Sequence, residues 1–221
     1  MATALPLETQ TLGGGRQRRG CVLRARGTRI GGVGLVDAGA VLVGTHAFAV
    51  LGNVLAVQWA SRGAAHPSTS FKIRGQALRV DLLCPKRGAA DDPVFIRRFG
   101  AAAQPLAYLD YLLAELERAV LIDGGAALVN VPGPARFAFH KLLVATLRPA
   151  AFQAKAEKDV VQAAQVLEVL VEARPGDLRP AWDSLRGAGR SWDRAARRGL
   201  ALLGRRHSAV HARVAAMLRS S

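Results

Sequence analysis

The chain has 221 residues and half of them are hydrophobic, so it can bury the core of at least one domain and is not disordered overall. Its formal net charge of +15 is concentrated at the ends: residues 1–30 carry six arginines against one glutamate, and residues 174–221 carry eleven arginines against three aspartates. Such ends suit a nucleic acid or another phosphate-rich surface, although an excess of arginine over lysine is also typical of coding bias in a GC-rich bacterial genome.

The first 29 residues are arginine-rich and lack the apolar run of a secretory signal. We therefore expect residues 1–29 to form a flexible basic tail with a hinge at Gly13–Gly15. The two cysteines, Cys21 and Cys84, have no metal-ligand spacing, and we expect them in segments that do not meet. Reduced thiols and the missing signal predict a cytoplasmic protein.

The stretch 40–57, "AVLVGTHAFAVLGNVLAV", has two interpretations. It is long enough for one membrane span, but His46 and Asn53 would be costly in lipid. Alternatively, a short strand ends at Gly44 and a helix begins there, with Thr45 as its cap. The free N–H groups at the start of that helix would bind an anion such as a triphosphate. We favour the second interpretation and expect no membrane partner.

The middle of the chain predicts two hairpins separated by a helix. "FKIR" at 71–74 and "LRVDLL" at 78–83 flank a Gly75-Gln76 turn, which indicates the first hairpin. Apolar residues at helical spacing predict a helix over 106–121. The second hairpin is expected around Asp123-Gly124-Gly125.

The second half of the chain is predicted to be helical. Pro134 suits the first turn of a helix through "ARFAFHKLLVATL", a second helix covers 153–173, and shorter ones cover 192–203 and 208–218. The predicted fold class is α+β, a small mixed sheet with flanking helices followed by a helical C-terminal domain. We place the first domain at 30–133 and the helical domain at 134–221.

Four stretches carry a family resemblance when taken in order: "VLVGTHAF", "SFKIRGQALRVDLL", "PARFAFHKLLVATLR" and "KAEKDVVQAAQVLEVL". Together they resemble a bacterial family of nucleotidyltransferase-fold proteins, distantly related to the AbiEii-type abortive-infection enzymes. The resemblance covers about residues 36–171. It implies a nucleotidyltransferase-like sheet, Mg²⁺ as cofactor, and transfer of a nucleoside monophosphate from an NTP to an unknown acceptor, a protein or an RNA.

The resemblance also implies roles for particular residues. Gly44 and Thr45 match a pocket for the nucleotide phosphates, and Asp81 matches the third metal-binding carboxylate, which is catalytic. On the following helices the matching residues are Lys141 and Asp159, both catalytic, Lys158, which binds nucleotide, and Gln162. Nucleotidyl transfer depends on positioning and on neutralising phosphate charge, so carboxylates that hold Mg²⁺ and a nearby lysine fit this chemistry.

One departure from the family pattern affects the expected activity. The family carries an acid–x–acid pair before the first hairpin, but no Asp or Glu occurs here between Asp37 and Asp81. One carboxylate cannot hold two Mg²⁺ ions, and Asp91-Asp92 before Pro93 is predicted to be a loop. Two hypotheses stay open: a nucleotidyltransferase, active or inactive, and a non-catalytic nucleic-acid-binding module that uses the arginine-rich termini.

Several candidates also have purely structural interpretations. Burying Asp81 is costly unless it is paired or lies at a site, and Lys141 could instead project from the solvent face of its helix. His207 and His211 have a spacing that zinc accepts but are expected on a solvated helix face. We expect His140 to pack in the interior, and Trp182 and Trp192 to anchor the C-terminal helices to the core.

Overall fold

The computed structural model describes residues 21–26, 40–42, 70–72, 79–89, 91–96, 101–122 and 126–219. They form a mixed sheet and a helical C-terminal half, which confirms the predicted α+β class. The strands are β1 (Cys21–Arg26), β2 (Ala40–Leu42), β3 (Ser70–Lys72), β4 (Arg79–Pro85), β5 (Val94–Ile96), β6 (Ala101–Leu106), β7 (Leu116–Ile122) and β8 (Ala126–Pro132).

The helices follow one another closely after the last strand, apart from a short one between β6 and β7. They are α1 (Leu109–Leu113), α2 (Pro134–Leu147), α3 (Gln153–Ala173), α4 (Leu178–Gly187), α5 (Arg190–Arg206) and α6 (Ser208–Arg219). Single 3₁₀ turns at Ala150–Phe152 and Pro175–Asp177 precede α3 and α4.

The strand order across the sheet is β5-β6-β4-β1-β2-β8-β7. On one side β4 pairs with the antiparallel β1. On its other side β4 pairs with the antiparallel β3 near Asp81, and with the parallel β6 from Leu83 onward. Strand β4, which carries Asp81, is therefore an interior strand.

Both predicted hairpin pairings are confirmed. Lys72 of β3 lies opposite Arg79 of β4, and Ile122 of β7 lies opposite Ala126 of β8. The turns between these strands fall at 73–78 and 123–125, outside the described residues.

The predicted helix over 106–121 is wrong. Helix α1 covers only Leu109–Leu113, and Leu116–Ile122 is strand β7. Apolar residues at helical spacing suggested one helix, but the seven residues of β7 gain a full antiparallel ladder with β8. Pairing with a neighbouring strand has overridden the local preference.

The prediction of a flexible tail over residues 1–29 is wrong for part of that range. Residues 21–26 of the predicted tail form β1, which lies between β2 and β4. Val22 lies opposite Leu83, so the segments that contain Cys21 and Cys84 do meet, contrary to the prediction. Cys84 is a free, buried thiol. Residues 1–20, with the glycine hinge, lie outside the described part, and the domain boundaries stay a prediction.

Among the described side chains, those of the helices make up most of the buried core. Helix α2 contributes Phe137, Phe139, Leu142 and Leu143, and packs mainly against α3 and α5. Pro134 occupies the first turn of α2, where its missing N–H costs no helical hydrogen bond, as predicted. Helix α3 ends at Ala173, before Pro175, also as predicted.

Both tryptophans anchor the C-terminal helices, as expected. Trp182 of α4 is buried with its ring centroid 5.2 Å from that of Phe139. Trp192 of α5 meets Tyr108 edge to face at 4.5 Å. The helices over 192–203 and 208–218 are confirmed within α5 and α6, whereas α4 was not predicted.

Among the described helices, none has both the length and the apolar character needed to cross a bilayer. Within residues 40–57, the stretch with two interpretations, the structure describes only β2. Gly44, Thr45 and the proposed helix after them lie outside the described residues.

Candidate functional site

Four polar side chains are buried in the described part of the chain: Asp81, His140, Asp159 and Gln162. Burying such groups costs free energy unless they are paired, so they mark the places where polar contacts matter most. Three of the four lie on α2 and α3, the two helices that share the most extensive helix–helix contact. The candidate site is therefore centred on the interface between these helices.

The Asp159 carboxylate accepts hydrogen bonds from two cations. Lys141 Nζ lies 2.8 Å from Oδ1, and Arg148 Nε lies 2.7 Å from Oδ2. The Asp159 side chain is 5% exposed, while Lys141 is 13% and Arg148 29% exposed. We call these three residues the Asp159 cluster. Two cations around one carboxylate leave the cluster with one positive charge in excess.

The local sequence explains how the cluster forms. Lys141 lies in the middle of α2, and Arg148 directly follows the last residue of that helix. The 3₁₀ turn Ala150–Phe152 then leads into α3, whose second turn contains Asp159. The Lys141 ammonium also lies 5.4 Å from the centroid of the Phe137 ring, one turn earlier on α2, a distance suited to a cation–π contact.

His140 lies beside Lys141 in sequence and is buried. Burial is the main cause that lowers the pKa of His140, to about 3, and the positive charge of Lys141 lowers it further. Asp159 and a hydrogen bond to the backbone at Ala107 act in the opposite direction. The imidazole is therefore neutral near pH 7, and its Nε2 has no hydrogen-bond partner among the described residues. The prediction that His140 packs in the interior is confirmed.

Two further buried oxygens have no hydrogen-bond partner in the described part of the chain: Gln162 Oε1 and Asp81 Oδ1. Gln162 follows Asp159 by one turn of α3. Asp81 lies on β4, with Arg24 of β1 and Ser70 of β3 as its partners in the strand register. Leu83, on the same face of β4 as Asp81 because side chains alternate along a strand, packs against the main core. Asp81 therefore faces the core side of the sheet.

The structure brings some predicted site residues together. Lys141 and Asp159, from two helices, form an ion pair, and at 13% exposure Lys141 does not project into solvent. Lys158 is partly exposed on α3 next to Asp159. Gly44 and Thr45 lie outside the described residues. The catalytic, nucleotide-binding and metal roles stay predictions.

Sequence reasoning missed Arg148, the second cation on Asp159. The family resemblance gave it no role, and it follows the end of a helix, where an arginine usually complements the exposed carbonyl groups. Its role depends on the packing of α2 against α3, which the sequence alone does not reveal.

The described carboxylates do not fit a site for two Mg²⁺ ions. In the part of the chain that the structure describes, no three His, Cys, Asp or Glu side chains come together. Asp159 has both oxygens occupied by cations. Asp91 is exposed in a loop, as predicted, and pairs with Lys86 at 2.6 Å. Asp81 is then one carboxylate with one unpartnered oxygen among the described residues.

The histidine pair at the C-terminus does not gather metal ligands within the described ranges. His207 directly follows α5, and His211 lies in α6. Both are partly exposed, in line with the solvated face expected for them.

Residues 60–187, more than half of the chain, match the model of a protein family described as nucleotidyltransferase. The matched segment contains Asp81 and the whole Asp159 cluster, and it begins after Gly44 and Thr45. No curated protein and no solved structure matches the chain.

Proposed function

The chain belongs to the nucleotidyltransferase family, and from this premise we propose that it binds a nucleoside triphosphate against the Asp159 cluster. The ancestral reaction is transfer of the nucleoside monophosphate to an acceptor, either a protein or an RNA. The AbiEii-type enzymes are its proposed distant relatives. The observation that carries the proposal is the pair of cations on one buried carboxylate inside the family segment.

Charge at the cluster supports this proposal. A triphosphate carries several negative charges, and binding it requires cations that are already held in place. Asp159 fixes the direction of Lys141 and Arg148, while Arg148 remains 29% exposed and able to meet a ligand. An arginine can present two parallel N–H groups to a phosphate, and a lysine adds a point charge. Lys158, next to Asp159 on α3, is the third proposed phosphate contact.

Asp159 acts in this proposal as a positioning residue. Its two oxygens each accept a hydrogen bond from one of the two cations, at 2.7–2.8 Å. The family resemblance implies a catalytic role for Asp159. We propose that this role consists of orienting Lys141 and Arg148.

Transfer itself is proposed to be weak or absent in this polypeptide. Nucleotidyl transfer with two metal ions needs about three carboxylates, and the described residues contain no group of three His, Cys, Asp or Glu side chains that could hold a metal ion. The gap without Asp or Glu between Asp37 and Asp81 agrees with this. We propose that the protein still binds an NTP but no longer catalyses transfer efficiently.

The experiment that tests the proposal is thermal unfolding with ATP or CTP, compared with adenosine or cytidine. A ligand that binds only the folded state raises Tm with its concentration, so we expect a rise for the triphosphates and none for the nucleosides. Incubation with labelled NTPs, Mg²⁺ and cell extract then measures transfer directly. Equal stabilisation by nucleosides would contradict the role of the cations, and rapid labelling of an acceptor would contradict weak transfer.

A further inference from the structure

Helix α5 has an arginine-rich face that the NTP proposal does not use. It contains six arginines against a single acid, Asp193. Ala195, Ala196, Gly199 and Leu203 are buried, so the apolar face of the helix is already covered. The arginines on the remaining surface are exposed.

Four of these arginines have no partner among the described residues. Arg186 and Arg197 both contact Asp193 and thereby neutralise it. Arg190, Arg194, Arg198 and Arg205 form no ion pair or hydrogen bond with any side chain in the described part of the chain. We call these four residues the arginine stripe. The first three are spaced four residues apart, and Arg205 follows after a longer interval. This spacing keeps all four on one side of α5 over roughly 22 Å.

A concave surface adjoins the first end of the stripe. It has a volume of about 760 Å³ and is lined by Arg186, Arg190, Arg194 and Arg197 together with Asp183, Asp193, Gly187 and Gly189. No described atom lies within 4 Å of the position where a Cβ at either glycine would be. Both glycines are exposed, so their backbone lines the pocket together with the guanidinium groups and the Asp183 and Asp193 carboxylates.

We propose that the arginine stripe and this pocket bind the phosphodiester backbone of a nucleic acid. Guanidinium groups form bidentate hydrogen bonds with phosphates, and a stripe of roughly 22 Å meets several successive phosphates on either strand of a duplex. The pocket accommodates one phosphate group at the end of the stripe.

The same features argue against two other partners. A membrane-surface helix inserts its apolar face into lipid, but the apolar face of α5 packs inside the protein. A stable protein interface has an apolar core, whereas the exposed residues of α5 between Arg190 and Arg205, apart from arginines, are the small Ser191 and Ala201. The larger apolar side chains Leu200 and Leu202 pack against the core. Polar, strongly positive interfaces are typical of nucleic-acid binding.

This inference stands independently of the proposed NTP site. Its test is fluorescence anisotropy with labelled single-stranded RNA, duplex RNA and duplex DNA, without nucleotide, in KCl from about 50 to about 200 mM. The test variant replaces Arg190, Arg194 and Arg198 with Gln. The matched control makes the same replacement at three exposed arginines on other elements, so both variants have the same net charge. These are Arg87, Arg118 and Arg219.

We expect the test variant to raise Kd by more than about tenfold and to reduce the slope of log K against log salt by about 3, one for each arginine that no longer neutralises a phosphate. The control should change Kd by less than about threefold, since net charge alone acts weakly through screening at this salt. Circular dichroism checks that both variants fold. Equal effects of the two variants, no binding to any of the three probes, or equally tight binding of poly-glutamate by the unmodified protein would overturn the proposal.

Discussion

Lys141 of α2 lies 2.8 Å from the Asp159 carboxylate of α3, and Arg148 binds the other oxygen of the same group. This contact joins two helices that are adjacent in sequence and share the largest helix–helix interface of the described chain. The cluster therefore links the stability of the helical core to the charge that the proposed nucleotide site presents.

Replacing Asp159 with Asn should lower the free energy of unfolding by about 3 kcal/mol, because two held cations lose their carboxylate in a mostly buried place. Urea unfolding measures this loss. The control is Asp183→Asn, which breaks an exposed pair with Arg179 and should cost less than about 1 kcal/mol. Similar losses in the two variants would show that burial of Asp159 contributes nothing to the stability of the fold.

Because of His140, the free energy of unfolding should decrease as the pH is lowered. Its pKa is about 3 in the folded protein against an ordinary value of 6.5, so the unfolded chain takes up this proton first. The contribution of His140 is present above pH 6.5 and is lost as the pH falls from there towards 3, at up to about 1.4 kcal/mol per pH unit.

The comparison that isolates this effect is His140→Gln, which removes the titrating group. The free energy of unfolding, measured by urea at several pH values between about 7 and about 4, should fall less steeply in the variant. Parallel pH curves for the two proteins would mean that the His140 imidazole is not held neutral.

Gly199 permits a close approach of α5 to α2. A Cβ added at this position would lie 3.0 Å from Leu142 Cβ and 3.1 Å from the Leu142 carbonyl carbon and oxygen. Gly199→Ala should therefore lower Tm, although alanine favours a helix by about 1 kcal/mol in an open position. Gly187→Ala, where no described atom lies within 4 Å, should leave Tm unchanged or raise it. If Gly199→Ala had a higher Tm than Gly187→Ala, α5 and α2 would be able to move apart without a loss of stability.

Tyr111 connects α1 to α4 through a buried hydrogen bond, in which its hydroxyl donates to the Ala181 carbonyl at 3.0 Å. Burial raises the pKa of this phenol, so it remains a donor at every pH used for the folded protein. Tyr111→Phe leaves a buried carbonyl without this donor and should cost about 1–2 kcal/mol in thermal or urea unfolding. Tyr108→Phe, at a partly exposed ring, should cost clearly less.

Sequence patterns predicted the elements whose hydrogen bonds are local. Helix α3 ends where the sequence placed its end, because Pro175 stops the helix two residues beyond Ala173. The helix expected over 106–121 failed because the backbone partner of Leu116–Ile122 is β8, which only the tertiary fold supplies. The central position of Cys21–Arg26 was missed for the same reason, since its charge suggested a solvated tail while its partners lie far along the chain.

The candidate site was predictable only where the family resemblance supplied a role. It named Lys141 and Asp159, which the structure joins. Arg148 was missed because a role that depends on the packing of two helices leaves no pattern in the chain itself. The absence of Asp and Glu from the 43 residues that precede Asp81 could be read directly from the sequence.

The decisive measurement for a nucleotide site at the Asp159 cluster is the affinity for ATP of the variants Lys141→Met and Lys86→Met. Asp159 keeps Arg148 as a partner when Lys141 is replaced, so the fold should survive, and Lys86 lies in a pair with Asp91 away from the cluster. Losing a charged hydrogen bond costs about 1.5–3 kcal/mol, so isothermal titration should show Kd raised at least about tenfold for Lys141→Met and unchanged for Lys86→Met. Unchanged affinity in Lys141→Met, with ATP still bound, would contradict a nucleotide site at this cluster.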